Sequence, residues 1–325
     1  MKRRRLALWL GAAVAALIGL CVTFAPYLFT ELFIVFERDL HVSLMPPTQN
    51  AASFRPRPGA PLGEVIDGYW RVQQIAPDTW AIGEPQDAPD NYEYLLVGQS
   101  RALLIDAGAT RRDIHQALSR LTKLPVTVIP SHLHFDHTNG LSHFTSIALI
   151  DTPQTRAREK DGVVRLGRYQ YIGSDGPVFR PTQWVKPDEW IDLGGRRVQV
   201  LLTPGHTATS VSIHDPERKL LFTGDLIYPT SLYVFLPDSS LSAYRTTAAR
   251  LLAAMPADTT IYGAHCCRND GPPQAPWLSM SDLRDVDTAV AAIQAGQAKG
   301  RGVFIRRFPV NGRMTLLTLY PLANH

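Results

Sequence analysis

Short apolar runs alternate with polar turns along this chain, and their spacing predicts its elements. The runs "TWAIG", "YEYLLVG", "RALLIDAG", "VTVIPSH", "SIALID", "RVQVLLTPGH", "SVSIHD", "KLLFTGD" and "TIYGAH" are rich in β-branched and apolar residues and predict strands. Apolar positions spaced by three and four predict helices in "RRDIHQALSRL", "SLSAYRTTAARLLAAM" and "SDLRDVDTAVAAIQAGQAK". The final stretch, "GVFIRRFPVNGRMTLLTLY", predicts a hairpin turning at Asn311-Gly312. Many strands with helices between them predict a layered α/β domain. Residues 153–185 follow neither period. With Gly, Pro, Tyr169, Tyr171 and Phe179, they are expected to form a lid or substrate-facing insert.

The first segment follows a different pattern. Lys2 to Arg5 precede a stretch from Leu6 to Thr30 without a charged residue, long enough to span a bilayer. The small residues of "AAVAA" lie inside the apolar run and Pro26 follows Ala25, which favours an uncleaved anchor over a signal peptide. Residues 1–36 are therefore expected to be a membrane anchor. Residues 37–63, rich in Pro and Ala, are expected to be a juxtamembrane tether, and residues 64–325 the folded domain. The basic cluster should stay cytoplasmic, which places the domain on the extracytoplasmic, periplasmic side.

Composition adds exclusions. Of 325 residues, 45% are hydrophobic and 19% charged, enough for a sizeable core. The net charge of +4 equals the contribution of Lys2 to Arg5 alone, so the rest is near neutral and offers no footprint for nucleic acid. The three cysteines are Cys21, Cys266 and Cys267. The last two are adjacent, so they build no disulfide framework. Nothing in the pattern sets an oligomeric state.

Candidate chemistry sits where predicted strands end. "VTVIPSH" runs into His132, His134, Asp136 and His137, "VQVLLTPGH" ends in His206, "KLLFTGD" in Asp225 and "TIYGAH" in His265. Imidazoles and carboxylates at such density are how divalent-metal sites are built. Strand ends on one rim are where α/β folds place their sites.

The motifs "SHLHFDHTNG", "TPGHTATS", "FTGD" and "YGAH", with "LLIDAG" ahead of them, resemble those of the metallo-β-lactamase superfamily, in the same order. The resemblance covers residues 64 to 325 and implies an αββα four-layer sandwich. It further implies that His132, His134 and His206 bind one divalent ion, that Asp136, His137 and His265 bind a second, and that Asp225 bridges the two. Zinc is the expected ion, although iron or manganese suits the same ligands. The reaction implied is attack of a metal-bridging hydroxide on an acyl carbonyl. Asp225 argues against antibiotic hydrolysis, since the β-lactamases proper have Cys or Ser at that step. It resembles instead glyoxalase II, lactonases, thioesterases and phosphodiesterases. Tyr228, three residues on, stands where acyl-homoserine lactonases have a tyrosine that hydrogen-bonds the substrate carbonyl. The longer pattern around it looks like the thioesterase branch.

The expectation is thus a hydrolase of small acyl esters, thioesters or lactones, with Asp136 orienting the nucleophile or shuttling a proton. Its rivals are a phosphodiesterase of the same fold and a non-catalytic, membrane-tethered binding protein. An extracytoplasmic site sits uneasily with coenzyme A thioesters. Several residues carry plainer readings. Asp106 is either a turn aspartate or a group that orients a ligand histidine. His115, His143 and His214 are expected to be structural, and Cys266 and Cys267 packing residues. Asp215, Arg218 and Lys219 are expected in a solvated turn. Tyr233, Leu232, Phe235 and Leu236 are expected to pack rather than to wall an acyl pocket.

Overall fold

The computed structural model describes residues 57–85, 90–110, 112–166, 178–236, 238–266, 274–302 and 305–319. The expected anchor, the tether up to residue 56, Tyr169, Tyr171 and Cys267 lie outside them. Among the described residues no helix is long and apolar enough to cross a membrane.

The first sheet runs in chain order through β1 (Glu64–Ile66), β2 (Trp70–Ala76), β3 (Thr79–Glu84), β4 (Asp90–Val97), β5 (Ala102–Ile105) and β6 (Val126–Ile129). Pairing is antiparallel except between β5 and β6. The second sheet has β7 (Trp190–Asp192), β8 (Arg197–Leu202), β9 (Val211–Asp215), β10 (Leu220–Phe222), β12 (Thr260–Tyr262) and β13 (Trp277–Ser279), with only β10 and β12 parallel. A third, three-stranded sheet joins β11 (Thr230–Val234) to β15 (Met314–Leu319) and β14 (Ile305–Pro309). β14 and β15 are the hairpin expected around Asn311-Gly312.

The strand sequences are apolar almost throughout because both faces of each large sheet are covered. Leu103 and Ile105 of β5 pack between the sheets against Val198, Val200 and Phe222, while Leu104 packs outward against Ala117 and Leu118 of α1 (His115–Leu121). In the second sheet Leu220 and Phe222 face inward. Leu221 faces outward, toward Tyr244 and Leu251 of α3 (Leu241–Ala254) and Leu283 and Val286 of α4 (Met280–Gln294). The layers are therefore helix, sheet, sheet, helix. Ser240 caps α3, and Ser279 with Asp282 forms a capping box on α4.

Two expectations are corrected. Asp215 is fully buried, not in a solvated turn. Its Oδ2 accepts from Arg196 Nε (3.0 Å) and Nη2 (2.7 Å). The guanidinium also donates to the main-chain oxygens of Asp78 (2.6 Å), in the β2–β3 turn, and Val97 (3.1 Å) and to Thr79 Oγ1 (2.8 Å), the last two on strands of the first sheet. One side chain thus ties the two sheets together with every donor used. The other concerns Phe179, one of the aromatics expected to face substrate; residues 167–177 of its segment lie outside the described residues. Residues 159–160, 163–165 and 178–179 make a small sheet, and residues 183–185 pair with 148–150. Phe179 is buried beside Val164 and Leu166, a core residue rather than one facing substrate.

Replacing Arg196 with Met leaves the buried Asp215 carboxylate with Arg218 alone as cationic partner, Nη1 at 3.6 Å, so unfolding in urea should show a loss of about 3 kcal/mol, the low end for a broken buried pair. An unchanged midpoint would mean that the pair adds nothing to stability.

Candidate metal centre

Every expected site residue lies at the same rim of the sandwich. After β6, the loop carries His132 and His134, and the helical turn α2 (Phe135–Thr138) carries Asp136 and His137. His206 sits between β8 and β9, Asp225 in the turn Gly224–Leu226 after β10, and His265 in the short strand His265–Cys266 after β12. Gly224 has φ +51°, and a Cβ there would meet Ser131 Oγ at 2.4 Å. A glycine before Asp225 lets that turn close onto the histidine loop.

The side chains form two groups, each able to hold a metal ion: His132, His134 and His206, and Asp136, His137, Asp225 and His265. In the first, His134 Nδ1 lies 2.9 Å from His132 Nε2 and 3.0 Å from His206 Nε2. Ligand atoms of a tetrahedral site with metal–nitrogen bonds of about 2.05 Å would be about 3.3 Å apart, so the convergence is of the right size. In the second, His265 Nε2 lies 3.3 Å from Asp136 Oδ2 and 3.1 Å from Asp225 Oδ1, and His137 Nε2 lies 3.6 and 3.5 Å from the same oxygens. Asp225 faces both groups, because its other oxygen, Oδ2, is 3.5 Å from His206 Nε2.

The outward-facing nitrogens are anchored. His206 Nδ1 donates to the Tyr233 main-chain oxygen (2.8 Å) and His137 Nδ1 to Asp106 Oδ2 (2.9 Å), which turns each Nε2 toward the centre. Asp106 also accepts from Ser131 N (2.5 Å) and Ser131 Oγ (3.0 Å), and that hydroxyl lies 3.1 Å from His132 Nδ1. One carboxylate therefore orients a histidine of each group, His137 directly and His132 through Ser131. Asp106 does this from a left-handed backbone, φ 66°, the kind of strain that collects at functional sites. Of the two readings of Asp106, these contacts support the one in which it orients a histidine.

The donor set fits a metal. Buried His137 Nε2 and Asp225 Oδ1 make no hydrogen bond, although both point into the cluster. Burial, then the neighbouring imidazoles, keeps His132 well below the usual histidine range, and the same causes bring His134 down to about 3. Burial lowers His206 too, against the pull of Asp225. These three imidazoles are neutral near pH 7. The second group differs. Burial disfavours the imidazolium of His137, but Asp106, Asp136 and Asp225 outweigh it and hold its pKa well above normal. His265, buried likewise, is pushed up to about 9 by Asp225 and Asp136. Burial opposes the anions of Asp136 and Asp225, yet the histidines hold Asp136 down to about 2 and Asp225 well below normal. Without a cation, protons neutralise this group.

Tyr228 stands edge-on to His265, ring centroids 5.2 Å apart, and is buried. Burial, then Asp225, keeps its phenol protonated. The other candidates match their plain readings. His143 is exposed, His115 bonds Asp113 (2.7 Å), His214 is buried in β9, and Cys266 packs between the sheets. Leu232 and Tyr233 face opposite sides of the third sheet, Leu232 toward the helices. Ser131 was not anticipated. A hydroxyl beside a histidine motif looks like any turn residue until the fold brings Asp106 to it.

Two predictions follow from the geometry. Asn tolerates the left-handed backbone at 106, so Asp106→Asn should keep the fold while weakening zinc binding by about 10–100-fold; titration against a competing chelator measures it, and unchanged affinity would refute the orienting role. Since His137 and His265 are protonated at neutral pH without metal, zinc must expel those protons. Calorimetry in buffers of different ionisation enthalpy should detect proton release, and affinity should fall as pH falls.

The family model described as the metallo-beta-lactamase superfamily matches residues 92–265. Acyl-coenzyme A thioesterase MBLAC2 of Gallus gallus is 30% identical over 187 residues, covering 49% of this chain and 65% of that protein. Hydroxyacylglutathione hydrolase of Bartonella tribocorum is 26% identical over 180 residues, covering 54% of this chain and 63% of that one. The chain thus spans less than two thirds of the length of either relative. Among solved structures, a metallo-beta-lactamase from Pontibacter korlensis superposes with a TM-score of 0.53 at 20% identity, over 68% of this chain and 99% of that one, which shows a shared fold. With the motifs, the layers and the matched residues in agreement, the chain belongs to the metallo-beta-lactamase superfamily.

Proposed function

We propose that the chain is a metal-dependent hydrolase of an acyl ester, thioester or lactone. The observation that carries this is Asp225, a buried carboxylate whose two oxygens face two separate groups of metal-type ligands. Two divalent ions, zinc by preference, are the proposed occupants. His132, His134 and His206 would hold one, Asp136, His137 and His265 the other, and Asp225 both. Bound there, they would supply Lewis acidity and an acidified water.

The protein's own groups then divide the work. Tyr228, kept protonated, donates a hydrogen bond to the acyl oxygen as negative charge develops on it. Asp136 is the most exposed of the seven ligand candidates, its side chain 20% accessible, so it meets incoming substrate and water. Held as an anion, it suits accepting a hydrogen bond from the attacking water more than storing its proton. His206 and His137, locked by Tyr233 and Asp106, keep the rim rigid while substrate enters.

An acyl substrate is supported by the relatives named as an acyl-coenzyme A thioesterase and a hydroxyacylglutathione hydrolase. The uncharged stretch Leu6 to Thr30 supports a membrane anchor, with the domain on the extracytoplasmic side, which favours an acyl ester or lactone over a coenzyme A thioester.

The zinc-loaded protein should turn over at least one of p-nitrophenyl acyl esters, acyl-coenzyme A thioesters and acyl-homoserine lactones. Turnover of bis-p-nitrophenyl phosphate alone would overturn the substrate class. Tyr228→Phe should lower kcat about 100-fold with metal content unchanged; wild-type kinetics would reduce Tyr228 to a packing residue.

A further inference from the structure

Behind the metal centre, β4 carries two buried polar residues in a strand that is otherwise apolar or aromatic beyond its first residue. Asn91 is 1% exposed and Glu93 is fully buried. Two positions apart, they share the face of the sheet that also packs Leu95. Polar groups so deep cost stability unless their bonds do something.

Asn91 touches the second ligand group from two directions. Its main chain is paired with His265 in the strand register, and Tyr92 N donates to the Ala264 oxygen (2.8 Å). Its side-chain Nδ2 donates to the main-chain oxygen of Asp136 (2.7 Å). One residue thus sets the separation of the Asp136 turn and the His265 strand, whose ligand-type atoms Oδ2 and Nε2 lie 3.3 Å apart. The same Nδ2 donates to Glu93 Oε1 (3.0 Å), which fixes the rotation of the amide. The three-histidine group is held by other partners: Ser131 beside His132, and the Tyr233 carbonyl on His206.

We propose that Asn91, oriented by Glu93, is a positioning residue for the Asp136–His137–His265 group alone, so that the two metal positions differ in what supports them. The proposal rests on the reading of the site as a two-metal centre. Glu93 acts here as a neutral acid: burial, then Glu84 and Asp106, raises its pKa well above normal, and Oε2 has no partner. A glutamine has the same shape and can supply the same acceptor oxygen.

The test is zinc and cobalt stoichiometry on the full chain, stripped of metal and reloaded, read by mass spectrometry and by the cobalt absorption spectrum. The wild type should hold two ions. Asn91→Leu and Glu93→Leu should retain the first with near wild-type affinity and bind the second at least tenfold more weakly, while Glu93→Gln should behave as wild type. Where Asn91→Leu does not fold, Glu93→Leu and Glu93→Gln decide. Two ions bound with wild-type affinity in the leucine variants, equal weakening of both ions, or failure of Glu93→Gln to match the wild type would each overturn the proposal. A wild type that binds no metal would instead remove the two-metal reading, and this proposal with it.

Discussion

A carboxylate buried among imidazoles must be neutralised, and Asp225 imposes that requirement on everything around it. With no cation, the answer is two histidines that carry protons at neutral pH. With a divalent cation, the same nitrogens would become ligands and the protons would leave. The fold brings this about by ending β6, β8, β10 and β12 at one rim, so that ligand candidates distant in sequence meet there.

The two groups are supported unequally. The first consists of three neutral imidazoles, lowered chiefly by burial, and is ready for a cation at neutral pH. The second holds two carboxylates, whose charge two protonated imidazoles offset. Behind both lies a layer of buried carboxyls. Asp106 reaches His137 and Ser131, while Glu84 accepts from Ala109 N (2.6 Å) and Thr110 Oγ1 (2.7 Å), fixing the loop that carries Asp106. Negative charge behind the ligands keeps the imidazoles electron-rich, as in carboxylate–histidine–metal chains. Strain at Asp106 is held by four hydrogen-bonding groups rather than by its own backbone preference: its main-chain N–H, Ser131 N, Ser131 Oγ and His137 Nδ1.

Much of this was legible in the sequence for a physical reason. Strands buried on both faces are continuous apolar runs, so "RALLIDAG" and "KLLFTGD" declared themselves, and each ended in a residue of the site. Residues whose role comes from a distant partner were not legible. Asp215 looked like a turn charge because nothing local shows that its partner Arg196 also reaches the other sheet. Asn91 and Glu93 did carry a signal, as polar residues inside a run whose neighbours are all buried, but it points to burial and not to a partner. Phe179 was misplaced because the aromatic and glycine-rich composition of its segment hid short strands.

The most direct test of the central claim is anomalous diffraction at the zinc edge from crystals of the zinc-loaded protein. The account predicts two peaks, one among His132, His134 and His206 and one among Asp136, His137 and His265, with the carboxylate of Asp225 between them. A single peak, or zinc held elsewhere with Asp225 facing only histidines, would contradict it.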